Sequence, residues 1–336
     1  MKTRAEERFA SRTARKARSM RESAWLRHPF AVATVVVLLA VALLGCEASS
    51  NATNSPTAGN GRLHVVCTTG MVADVVRNIG GDQIVVDQLM GAGVDPHLYK
   101  TSPRDVSRLN AADAVFYSGW HLEGKMAEVF QRLGRNKPVF AIAESIPEGE
   151  LLVSEEGTVD PHVWFDVSLW ARTTTAVEEA LSKLDPAHAE GYRANAAAYR
   201  ERLTQLHEEA KRQIASIPEE QRVLVTAHDA FRYFGRAYDI EVRGIQGIST
   251  DSEAGVRQVN ELVAFLVDRK IKAVFVESSV SDQNVRSLLE GARASGHKVE
   301  IGGELFSDAL GDPGTPGGTY EGMVQHNVDT IVKALK

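Results

Sequence analysis

Residues 185–218 read DPAHAEGYRANAAAYRERLTQLHEEAKRQIASIP, and this stretch decides how the chain is organised. Tyr192, Ala196, Tyr199, Leu203, Leu206, Ala210 and Ile214 recur every three to four residues, the spacing that lines one face of an α-helix. Asp185-Pro186 opens the segment and Pro218 closes it, as a helix start and stop require. A helix from Pro186 to Ile217 would be about 48 Å long, far more than one layered domain needs. The pattern predicts a rigid strut between two lobes.

Both flanks of the strut read alike. Upstream, predicted strands at 63–68, 83–89, 114–118 and 138–141 alternate with helices at 72–80, 102–111 and 124–133. Downstream, strands at 222–226, 240–244, 273–277 and 298–301 alternate with helices at 230–238, 252–268, 282–295 and 319–335. Short strands separated by helices imply parallel βαβ units. The expected fold is therefore α/β: an N-terminal lobe at 62–185, a linking helix at 186–218 and a C-terminal lobe at 219–336, two similar lobes with parallel-sheet cores. In open α/β sheets ligands sit beyond the carboxyl ends of strands, which places a site in the cleft between the lobes.

Asp-Pro-His occurs twice, at Asp95-Pro96-His97 and Asp160-Pro161-His162. Proline ahead of each imidazole holds it still. His228 follows the apolar run Val223 to Ala227, and Asp308 closes the segment Gly302-Gly303-Glu304-Leu305-Phe306-Ser307-Asp308. Three imidazoles and one carboxylate suit a four-coordinate site for a borderline divalent ion. Glu304 and Asp312 compete with Asp308 for the carboxylate role, and His121 is a further histidine near the cleft. His188 and His207 fall on the long helix, and His64 and His297 at strand starts, where structural or surface roles suffice. The chain has no Gly-x-Ser-x-Gly, no phosphate loop and no His-Glu-x-x-His. Because a catalytic metal keeps one position open for water, a shell filled by four side chains favours carriage over chemistry.

The first 45 residues are of another kind. Nine Lys or Arg against three Glu precede an apolar run from Pro29 to Gly45, the plan of an export signal. About 17 residues would span roughly 26 Å as a helix, so an uncleaved anchor is the alternative. Leu43-Leu44-Gly45-Cys46 resembles a bacterial lipobox with Cys46 as the lipidated residue, and the polar stretch 46–61 reads as a flexible tether. Removing residues 1–45 takes the formal charge from −6 to −12, and an acidic chain without a basic cluster argues against nucleic acid as partner. Cys67 is then the only cysteine of the folded part and reads as a small buried filler.

At these residues the chain resembles the transition-metal solute-binding proteins of ABC importers, the TroA-like group. The segments that carry the resemblance are Thr68 to Asp74, Gly93 to Tyr99, Asp160 to Trp164, Glu277 to Val280 and Gly302 to Asp308. It implies His97, His162, His228 and Asp308 as ligands, two lobes on one long helix with limited hinge motion, and docking onto a membrane permease that works with a cytoplasmic ATPase. It implies a lipid-anchored, monomeric binding subunit rather than an enzyme. The expected cargo is Mn²⁺ or Zn²⁺, with manganese favoured in the cell. Glu144 to Asp160 contains no histidine, unlike the His-rich loop of many zinc-specific relatives, and Gly244 to Thr250 looks like members associated with manganese as well as zinc. A zinc-specific uptake protein, a metal-stabilised surface adhesin and a metal-assisted hydrolase are the competing readings.

Overall fold

A computed structural model describes residues 61–154 and 157–336 of the 336-residue chain. The export segment, Cys46 and the tether up to residue 60 lie outside the described residues. Among the described residues, no helix is long and apolar enough to cross a membrane.

In the first lobe β1 (Leu63–Cys67), β2 (Ile84–Gln88), β3 (Ala114–Tyr117) and β4 (Val139–Ala141) form a parallel sheet in the order β2-β1-β3-β4. Helices α1 (Gly70–Gly80), α2 (Pro103–Ala111) and α3 (Ala127–Leu133) make the crossovers. Val65, Val66 and Cys67 are wholly buried, as expected of a parallel strand covered on both faces. The Thr69 hydroxyl caps α1 by accepting from Val72 N–H, and Ser102 and Asp105 form a capping box at α2 with Pro103 in its first turn.

The second lobe repeats the plan. Its strands are β5 (Val223–His228), β6 (Glu241–Gln246), β7 (Ala273–Glu277) and β8 (Glu300–Leu305), with β5–β6 and β7–β8 paired in parallel. β5 runs beside β7, so the spatial order β6-β5-β7-β8 mirrors that of the first lobe. Helices α6 (Arg232–Tyr238), α7 (Val256–Asp268), α8 (Gln283–Ala294) and α9 (Tyr320–Leu335) surround these strands.

Two features differ from the reading of the sequence. The long helix, α5, runs from Ala189 to Ala215, because Pro186–His188 form a separate 3₁₀ turn; its length is about 40 Å. It is also not alone. An 18-residue helix, α4 (Val167–Leu184), absent from the predicted elements, packs along it, started by Asp166, whose Oδ1 accepts from Ser168 and Leu169 N–H. Tyr192, Ala196, Tyr199, Leu203, Ala210 and Ile214 form the buried face of α5. One apolar core takes in Val65 and Phe116 of the first sheet, Trp170 and Val177 of α4, Leu203 of α5, Leu224 and Phe275 of the second sheet, and Ile331 of α9. Separate clusters cover the outer faces of the two sheets.

Candidate metal centre

Four chain segments deliver His97, His162, His228 and Asp308 to one point. His97 lies in the loop after β2, His162 just before the 3₁₀ turn Val163–Phe165, His228 at the end of β5, and Asp308 three residues beyond β8. The duplicated Asp-Pro-His is a duplicated side-chain turn. Asp95 Oδ1 accepts from His97 N–H at 2.8 Å, and Asp160 Oδ1 accepts from His162 N–H at 3.1 Å. The aspartate closes the turn, the proline fixes its entry, and the imidazole projects from it.

The ligand atoms of all four side chains lie within 4.8 Å of one another. His97 Nε2 is 3.2 Å from His162 Nε2 and 3.8 Å from Asp308 Oδ2, while Asp308 lies 3.4 Å from His162 Nε2 and 3.3 Å from His228 Nε2. Two donors about 2.05 Å from a tetrahedral ion would sit roughly 3.4 Å apart, so the separations are those of a coordination shell. His162, His228 and Asp308 are almost wholly buried, and His97 is 6% exposed. His228 Nε2 and both Asp308 oxygens have no hydrogen-bond partner. Buried acceptors left bare are costly, and a divalent cation at their centre satisfies them together.

Acids behind the histidines set their orientation. His162 Nδ1 is 2.8 Å from Asp160 Oδ1, and His228 Nδ1 is 2.6 Å from Glu277 Oε2, whose other oxygen accepts from His228 N–H at 2.9 Å. A proton held at each Nδ1 leaves the Nε2 lone pair facing the centre. Without metal, burial alone would lower the His162 pKa, but Asp160 and Asp308 raise it to about 9. Burial opposes protonation of His228 too, yet Glu277 and Asp308 hold it well above the usual imidazole value. His97 is pulled down to about 4, chiefly by burial. Burial would raise Asp308, but His228 and His162 hold it well below the ordinary carboxylate range.

The rival residues stay outside. Glu304 is exposed on β8, Asp312 is exposed in its loop, and His121 is exposed beside Trp120, both with left-handed backbone. His64, His188, His207 and His297 are likewise absent from the cluster. Burial pushes the Cys67 thiol far up, in keeping with a filler role. Glu277 is the functional residue that was not singled out, and its signal was an acid ending the apolar strand Ala273–Glu277. Glu277→Gln keeps the shape but weakens the acceptor at His228 Nδ1. It is expected to lower metal affinity about 10–100-fold in chelator competition, and full affinity would mean that Glu277 does not orient the ring.

Two lobes around a solvent-shielded cradle of three imidazoles and a carboxylate define a metal-binding protein of the two-lobed solute-receptor class. The sequence model of ZnuA, described as zinc-uptake complex component A, periplasmic, matches residues 65–334, and the chain belongs to this family. It is 50% identical over 302 residues to the manganese-binding lipoprotein MntA of Bacillus subtilis, covering 90% of this chain and 97% of that protein. To the zinc-binding protein TroA of Treponema pallidum it is 51% identical over 278 residues, covering 83% and 90%. The solved structure of that periplasmic zinc-binding protein superposes with a TM-score of 0.80, over 82% of this chain and 99% of the other.

Proposed function

We propose that this chain captures a divalent transition-metal ion, manganese or zinc, outside the cytoplasmic membrane and delivers it to an ABC permease driven by a cytoplasmic ATPase. The observation that carries this reading is the buried cradle of His97, His162, His228 and Asp308, with acceptor atoms that have no partner other than one another or a cation. The four side chains take the ion out of water, two from each lobe. Aqua ligands are exchanged for side-chain donors with no covalent chemistry on the cargo, and the permease unloads the cleft. Lipid on Cys46 holds the protein, as a monomer, beside its permease, each buried CH₂ adding about 0.8 kcal/mol of membrane affinity.

We propose manganese as the cargo in the cell and zinc as the tighter binder in the test tube, since affinity at such sites rises along the first-row series. Relatives of nearly equal identity are named for each metal. The expected result is one ion per chain in either metal, with zinc displacing manganese in competition. Deleting the gene should reduce cellular manganese uptake, restored by the wild-type chain and not by Asp308→Ala. Loss of zinc uptake alone would overturn the manganese assignment, and unchanged uptake of both would overturn carriage.

A further inference from the structure

We propose that Thr250 is a positioning residue for His97, and that segment 247–255, between β6 and α7, is a strap across the lobes that sets how long the ion stays bound. The inference rests on the reading of His97 as a ligand.

Thr250 belongs to the second lobe, and its buried hydroxyl donates to Asp95 Oδ2 in the first lobe at 2.5 Å, across 155 residues of sequence. The other oxygen of the same carboxylate accepts from His97 N–H. One carboxylate thus couples the strap to the turn that carries the imidazole. His162 has its own acid at Nδ1, whereas Asp95 spends its second oxygen on the opposite lobe. The neighbouring Asp251 takes Lys125 Nζ of the first lobe at 2.9 Å to each carboxylate oxygen. The strap is tied back to its own lobe where Gln246 Nε2 donates to Ser252 C=O at 3.3 Å. The second lobe meets the His97 loop once more at Gly93, which has φ +69° and where a Cβ would lie 3.3 Å from the Ser278 carbonyl.

These contacts differ in weight. Lys125 and Asp251 are solvent-exposed, so their pair is screened and guides approach more than it fastens. The Thr250–Asp95 bond is short, shielded and charge-assisted, so it is the fastening. Because it spans the lobes, it exists only when they are together, and it biases the protein toward the closed state.

The test follows release of Mn²⁺ or Zn²⁺ from loaded full-length protein into excess chelator by stopped flow. Thr250→Val removes the hydroxyl at constant shape and should speed dissociation about tenfold, with association within about twofold of wild type. Thr250→Ser should restore the rate to within about threefold. If Thr250→Val folds poorly, Thr250→Ala takes its place. A wild-type release rate in the hydroxyl-less variant, or a lower melting temperature with no change in release, overturns the proposal. His97→Ala is measured alongside. If it binds normally, the ligand reading fails; if it loses metal while Thr250→Val releases at the wild-type rate, the strap alone falls.

Discussion

Replacing His228 with alanine is expected to weaken metal binding on the order of a thousandfold or more, beyond the 10–100-fold typical of residues that only support a ligand. His228 is wholly buried at the end of β5, and its Nε2 makes no hydrogen bond and lies 3.3 Å from Asp308 Oδ2 within the cluster. Truncation removes a donor and leaves Glu277, also buried, without the imidazole it grips. A carboxylate stranded in that way destabilises the protein as well, so the metal-free variant should melt earlier than wild type. His207→Ala is the control: this residue sits on α5, with Nδ1 3.4 Å from Tyr238 Oη and away from the cluster. Isothermal titration with each metal measures both variants. Equal losses would show that the centre lies elsewhere.

The second large effect is that of pH. In the metal-free protein Asp160 and Asp308 hold the His162 pKa up at about 9, and Glu277 and Asp308 hold His228 well above the ordinary imidazole value, so both carry a proton at neutrality; His97, held down at about 4 by burial, does not. An incoming ion must displace those protons. Affinity is expected to rise between pH 6 and about 9, roughly 10- to 100-fold per unit for the release of one to two protons. Calorimetry in buffers of different ionisation heat counts them directly. A flat profile from pH 6 to 8 would mean that the imidazoles are not the ligands.

The same shifts act on stability with the opposite sign. Two imidazoliums with raised pKa values stabilise the metal-free fold fully below about pH 6.5, the ordinary histidine value. The share of His162 is lost as the pH rises through about 9, and that of His228 is lost likewise on the alkaline side. The empty protein should therefore melt earlier at pH 9 than at pH 6, whereas loading with metal should protect it most at the alkaline end.

The two-lobed α/β plan, the long helix and the paired Asp-Pro-His turns were legible in local pattern, whereas His228 and Asp308 sit in no spacing motif and were reached from their places after strands and from the family resemblance. Tyr192 to Ile214 shows its period openly, and Asp95-Pro96-His97 carries its own turn chemistry. Helix α4 was not legible, for a local reason. Thr173, Thr174 and Thr175 are β-branched and read against a helix, yet Thr173 and Thr174 are buried and bond back to the carbonyls of Trp170 and Ala171. Tertiary packing on α5 overrides the propensity. Glu277 escaped because its task depends on β7 lying beside β5, a neighbourhood that no sequence spacing encodes. Thr250 escaped for the same reason at longer range.

The single apolar core that threads both sheets through α4, α5 and α9 sets a limit on the working cycle. A molecule stiffened along its spine cannot gape as two freely swinging jaws do, since every degree of opening would shear packed tryptophan and tyrosine rings. Its empty and loaded forms should then differ at the rim more than in overall shape. The rim loops, among them the one bearing Thr250, are then where the two forms are expected to be told apart.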